Sequence, residues 1–212
     1  MTVLLAVRHG EADGNSHHRF IGQTDAHLTD QGRAQAELLA LRLVKLPISR
    51  IISSDLRRTI DTVTPTANAL GLPVEKDPRL REILNGDWTG LLPDDIANAW
   101  PEVWTAYRSG EDVLRPGGES WAHVRERVLS VVEELPVDDS VVLFSTHGGP
   151  SLCLAQWAIG IEPGRNIFRG PLAAVENTGL VAIDLRGPRL LAFNDLGHLG
   201  DRLPSLPLPF DS

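Results

Sequence analysis

Val3-Leu4-Leu5-Ala6-Val7-Arg8-His9-Gly10-Glu11-Ala12-Asp13-Gly14-Asn15 is the stretch on which both the fold and the chemistry turn. Val3 to Val7 is a short apolar run rich in β-formers, which predicts a strand buried on both faces. The run stops at Arg8-His9-Gly10, so a guanidinium and an imidazole sit at the strand's carboxyl end. In open α/β sheets that edge is where ligands bind.

Outward from this stretch the same arrangement recurs. Leu28-Thr29-Asp30-Gln31-Gly32 closes a polar loop and opens a helix, with Thr29 as its cap and Asp30 at the positive end of its dipole. Ala34, Leu38, Leu41 and then Leu39, Leu43, Leu46 fall at helical spacing, giving a helix over 33–46 that Pro47 ends. Residues 50–54 read as a second strand, and Asp55-Leu56-Arg57-Arg58-Thr59 as the opening of the next helix. Pro65 lies inside that helix, where proline costs about 3 kcal/mol, and this predicts a break or kink near Thr64. Residues 72–75 make a weak strand. Residues 119–135 form an amphipathic helix with Val124, Val128, Val131 and Leu135 on one face. The clearest buried strand, 140–145, runs into Thr146-His147-Gly148-Gly149-Pro150, with Pro150 in the first turn of a following helix. Two last strands, 179–185 and 189–194, join at Arg186-Gly187-Pro188. Between residues 85 and 121 lie four of the five tryptophans among Gly, Pro and Asp, and this segment reads as a cover over the sheet edge. Strands alternating with helices imply an α/β fold with a mostly parallel central sheet and helices on both faces.

The 212 residues suit one domain, and the apolar and charged fractions of 42% and 23% are those of an ordinary water-soluble chain. A net charge of -8 argues against nucleic acid or an anionic membrane as a partner, while leaving a locally positive cleft open to an anionic substrate. No secretory segment or membrane span is visible, which makes a cytoplasmic protein the expectation. The lone Cys153 sits in an apolar helical segment and reads as a buried, inert thiol.

Three strand ends thus carry Arg8-His9, Arg58 and His147-Gly148. If these strands are neighbours, two guanidinium forks and two imidazoles converge at one edge, a pocket suited to a tetrahedral dianion. Singly, each residue has a structural explanation: a hydrogen-bonded loop histidine, a solvated helix arginine. Their joint occurrence in order at strand ends points to an anion-handling site.

Arg8-His9-Gly10-Glu11 with Asn15 resembles the signature of the histidine phosphatase superfamily, the phosphoglycerate-mutase-like proteins. Glu82 with Gly86-Asp87-Trp88-Thr89-Gly90, and then His147-Gly148, match further landmarks in the family's order. Asn85 stands where an aromatic is usual and His27 where a proline is usual. The resemblance implies a phosphoglycerate-mutase-like fold, a single domain over 1–212, and a phosphohistidine formed on His9. Arg8, Arg58 and His147 would hold the transferring phosphoryl group, and Glu82 would serve as general acid and base, with no metal or other cofactor. Expected substrate contacts are Asn15, His18, Arg19, Gly22 and Gln23 from the loop after the signature, and Gly148 at the helix opening. His17 and His18 are adjacent, so in an extended strand they point apart, which disfavours a shared metal with Glu11 and Asp13. His198, in Asn194-Asp195-Leu196-Gly197-His198-Leu199, resembles a tail found in phosphoserine and α-ribazole phosphatases of the family. It is expected at the pocket or at a dimer contact. The edge strand over 189–194, with the Pro-rich tail after it, suits a homodimer.

The expected activity is metal-independent hydrolysis of a small phosphorylated metabolite. Cofactor-dependent mutases resembling this family carry a longer, arginine-bearing insertion after the Glu82 region. Here only Arg108 and Arg115 are present in that segment. A phosphoglycerate mutase is the alternative, and a non-catalytic phospholigand-binding protein a further one, opposed by the intact set of four core positions.

Overall fold

The computed structural model describes residues 2–13 and 19–200. Six strands form one sheet: β1 Val3–Arg8, β2 Ile48–Ser53, β3 Val74–Lys76, β4 Val141–Thr146, β5 Leu180–Asp184 and β6 Arg189–Asp195. Their order is β3-β2-β4-β1-β5-β6. The first four are mutually parallel, β5 pairs antiparallel with β1 and β6 antiparallel with β5, so the sheet is mixed and mostly parallel.

Alternation along the strands sorts the core into two layers. On β1, Leu5 and Val7 face α1 Asp30–Leu43 and α2 Arg57–Leu70, where they meet Leu39, Leu43, Val63 and Ala67. Leu4 and Ala6 face the opposite layer of α5 Trp121–Glu133 and α6 Gly148–Ala158, among Val124, Val128, Leu152 and Leu154. Both faces of the sheet are thereby covered by helices, as the alternation of strands and helices requires. No helix among the described residues is long and apolar enough to cross a membrane.

The cap of α1 is Thr29, whose hydroxyl accepts the Gly32 N–H, but the helix ends at Leu43, well short of Pro47. The expected break at Thr64 does not occur: α2 runs unbroken through Pro65 to an αL cap at Gly71. Val63, Thr66 and Ala67 are buried on either side of the proline, and that packing outweighs the lost backbone hydrogen bond. Residues 85–121 hold two short helices that apolar periodicity did not indicate, α3 Pro93–Ala99 and α4 Pro101–Ser109. Each has proline at its first position, and that signal was available in the sequence. Phe20 packs with Trp88, Trp104 and Tyr107 of this segment, edge to face and stacked. The buried Arg115 guanidinium lies 5.1–5.8 Å from the rings of Trp88, Tyr107 and Trp121.

Candidate active site

The sheet order makes the site. β4 lies between β1 and β2, and the ladder continues one residue past the strands, with His9 N–H to the Thr146 carbonyl at 2.9 Å and Ser54 N–H to the Ser145 carbonyl at 2.8 Å. His9 and His147 therefore leave adjacent strands side by side, their ring centroids 5.2 Å apart at 67°.

His9 is buried, and its Nδ1 lies 2.7 Å from the Gly10 carbonyl. A carbonyl only accepts, so the proton sits on Nδ1 and the lone pair is on Nε2. Burial, then the Arg8 and Arg58 charges, hold the pKa of this imidazole well below its ordinary value. His147 is fully buried and likewise held neutral, by burial first and then by Arg58 and His9. Its Nε2 is 3.0 Å from the Ser54 hydroxyl, which also accepts the Leu56 N–H at 3.3 Å. Its Nδ1 has no partner among the described groups, so a phosphoryl oxygen beside His9 would satisfy a buried polar atom that is otherwise orphaned.

The two arginines are braced by backbone carbonyls. Arg8 donates through Nη1 to Val175 at 2.7 Å, and Arg58 donates to Thr24 at 2.7 Å and Gly22 at 2.9 Å. No carboxylate closes an ion pair with either among the described residues, and the remaining N–H groups are available to an anion. Glu82 is fixed at both oxygens, by the Ile83 N–H at 2.9 Å and by the Gly149 N–H at the opening of α6 at 3.2 Å. Behind it, Arg127 donates to the carbonyls of Arg79, Arg81 and Glu82.

Arg8, His9, Arg58 and Glu82 line a cleft of about 360 Å³, and His147, fully buried, lies behind its wall beside His9. Of the expected contacts, Arg19, Gly22 and Gly148 line it as well. Gln23 does not; its amide donates to the Glu82 carbonyl at 2.9 Å and accepts from Arg81, so it braces the carboxylate's backbone. His198 is not in the cleft wall either: its Nε2 meets the Thr178 hydroxyl at 3.0 Å, near the antiparallel edge of β1. Asn15 and His18 lie outside the described residues. The aromatic ring in the wall is Phe168, with no tryptophan among the described lining residues. Ser54, Asn177 and Thr178 were not singled out by sequence, because their partners are remote in the chain. Cys153 is buried, and burial pushes its thiol far above the ordinary range.

Two buried neutral histidines have a measurable consequence. In the unfolded chain each takes up a proton near pH 6.5, whereas in the folded chain each does so only at much lower pH. Their contribution to stability is complete above about pH 6.5 and falls as the pH drops below it, by about 1.4 kcal/mol per pH unit for each. Urea unfolding between pH 6 and pH 5, above the carboxylate range, is expected to show roughly twice that slope from these two, and a smaller, solvent-screened addition from the half-buried His198, which burial holds down at about 4. A flat profile there would contradict two buried neutral imidazoles.

Comparison with known proteins finds relatives in both sequence and fold. Phosphoserine phosphatase 1 of Hydrogenobacter thermophilus is 37% identical over 206 residues, covering 95% of this chain and 96% of that protein. The probable phosphoglycerate mutase GpmB of Yersinia enterocolitica is 37% identical over 168 residues, 77% of each chain. The native structure of a mycobacterial glucosyl-3-phosphoglycerate phosphatase superposes with a TM-score of 0.78 at 32% identity, covering 91% of this chain and 98% of that one. The profile of the histidine phosphatase superfamily (branch 1) matches residues 4–195, and the chain belongs to that family.

Proposed function

We propose that this chain hydrolyses small phosphomonoesters through a phosphohistidine on His9, without a metal ion. The observation that carries the reading is the His9 ring itself, with Nδ1 occupied by the Gly10 carbonyl and its unprotonated Nε2 in a cleft walled by Arg8 and Arg58. In the first step Nε2 attacks phosphorus in line while the bond to the ester oxygen breaks, and the Glu82 carboxyl gives its proton to the departing alkoxide. In the second, water attacks phosphorus and passes a proton to Glu82, the P–N bond breaks, and phosphate leaves. Arg8, Arg58 and the His147 Nδ1–H stabilise the phosphoryl oxygens in both steps, and the arginines supply the positive charge that a divalent cation supplies elsewhere.

Arg58 is needed as a fork. It grips two carbonyls of the 22–24 loop and still faces the cleft, which one ammonium group cannot do. Arg58→Lys is expected to lower kcat/KM about 10²-fold, the loss typical of one preorganised donor. Activity within threefold of wild type would remove Arg58 from the phosphoryl site.

The three relatives bear the names of enzymes for phosphoserine, phosphoglycerate and glucosyl-3-phosphoglycerate, all of which join a carboxylate to a phosphate ester. Arg19, exposed in the cleft wall, is a ready partner for such a carboxylate. The test is phosphate release in EDTA from these compounds, α-ribazole phosphate and sugar phosphates, with quenching in alkaline SDS, where the acid-labile P–N bond survives, to trap the N-linked phosphoenzyme. Release together with labelled His9 supports the proposal. Release that requires an added metal, or no release at all, overturns it. The mutase-like relative favours a second reading, isomerisation of phosphoglycerate, but neither the exposed Arg108 nor the sealed Arg115 lines the cleft. Interconversion of 2- and 3-phosphoglycerate without phosphate release would establish it.

A further inference from the structure

The tail motif of residues 194–199 is left without a role by the cleft, yet its side chains lead back to the nucleophile. The intermediate is the turn over 175–178. From it the Val175 carbonyl accepts Arg8 Nη1 at 2.7 Å, Asn177 Nδ2 donates to the His9 carbonyl at 2.9 Å, and Thr178 N–H donates to the Arg8 carbonyl at 3.0 Å. Thr178 does this at φ +58°, a left-handed conformation that a β-branched residue adopts only when its surroundings impose it.

Two tail residues impose it. The Asn194 side-chain oxygen accepts the Glu176 N–H at 2.8 Å, an approach that leaves no room for a side chain at Gly179, where a Cβ would lie 2.3 Å from that oxygen. His198 Nε2 meets the Thr178 hydroxyl at 3.0 Å, and that hydroxyl already donates its proton to the Asn177 carbonyl at 2.7 Å. His198 must therefore be the donor, with its proton on Nε2. The tail is itself anchored to α1 through the Arg42–Asp195 pair, and Leu199 at its end is buried.

We infer that Asn194 and His198 are positioning residues, which through the 175–178 turn fix the backbone of Arg8 and His9 and so the aim of the nucleophilic ring. The catalytic part of this inference rests on the hydrolase reading above; the mechanical part does not. The test compares His198→Phe, which keeps a ring but loses the donor, with His198→Gln, whose amide N–H can replace it. One readout is the ¹⁵N–¹H NMR signal of the His9 Nδ1–H, protected by its bond to Gly10, and the other is kcat and KM for p-nitrophenyl phosphate per folded molecule. In His198→Phe the Nδ1–H signal is expected to broaden or exchange away, with kcat lowered roughly tenfold and KM little changed. His198→Gln is expected to restore the signal and to bring kcat within about threefold of wild type. An unchanged His9 signal and kcat in His198→Phe would overturn the inference, as would a glutamine variant no better than phenylalanine. A change in melting temperature alone, with both readouts intact, would make His198 merely structural. If wild type hydrolyses no phosphomonoester, the hydrolase reading fails while the NMR comparison still decides the mechanical link.

Discussion

Replacing His9 by alanine is expected to abolish phosphate release, lowering kcat by at least about 10⁴-fold, the scale of loss when a catalytic nucleophile is removed. No neighbour among the described residues can take over. Among the described residues His147 is the nearest imidazole, but it is fully buried, its Nε2 faces the Ser54 hydroxyl, and its ring stands 5.2 Å from that of His9. The anion-binding groups do not depend on the His9 ring, since Arg8 and Arg58 are held by carbonyls of Val175, Thr24 and Gly22. The variant is therefore expected to bind orthovanadate or phosphate while forming no phosphoenzyme, a loss in kcat with little change in ligand affinity. It should also lose about a third to a half of the acid sensitivity of unfolding, because one of the two fully buried neutral histidines is gone while His147 and the half-buried His198 remain. Rapid-quench labelling and titration calorimetry check both halves. Undiminished turnover in His9→Ala would exclude the phosphohistidine mechanism whatever the substrate.

Much of this site was legible because its members stand at ends of locally coded elements. The β1 run, the buried strand before His147 and the helix opening at Arg58 are each recognisable within ten residues, and parallel pairing then places them at one edge. What stayed hidden depends on contacts distant in the chain. Ser54 and His147 are 93 residues apart, and Asn177 and His9 are 168, so no periodicity joins them. Pro65 misled for a related reason: its local cost is real, but the packing of Val63 and Ala67 that offsets it comes from other elements. Gln23 and His198 carried the right residue types for contacting a substrate; in the fold Gln23 donates to the Glu82 carbonyl and His198 meets the Thr178 hydroxyl, contacts that no local pattern announces. The helices α3 and α4 went unread because α4 buries no residue fully and α3 only Ile96.

Gly32 gives the second large effect, one whose sign is opposite to what helix propensity predicts. The residue lies in the first turn of α1, where alanine ordinarily stabilises a helix by about 1 kcal/mol relative to glycine. Here the signature loop rests directly on that turn: a Cβ at Gly32 would lie 2.0 Å from the Glu11 carbonyl oxygen, and one at Gly10 would lie 2.7 Å from the Gly32 carbonyl oxygen. The loop has little freedom to retreat. Thr29 N–H donates to the Glu11 carbonyl at 3.0 Å, the Thr29 hydroxyl donates to the Glu11 carboxylate at 2.7 Å, and Gln35 accepts the Glu11 N–H at 2.8 Å. An ordinary carbon–oxygen contact requires the two backbones to part by more than an ångström, which displaces the Gly10 carbonyl that fixes the proton on His9 Nδ1. Gly32→Ala is therefore expected to destabilise the protein by about 3 kcal/mol, the upper range for overpacking, and to cost about 10²-fold in kcat through misplacement of His9. Urea unfolding and turnover measured on the same preparation check it. A variant more stable than wild type would mean that the loop yields easily and that the His9 ring is not held from this side; loss of activity at unchanged stability would show that the close approach matters for aim alone.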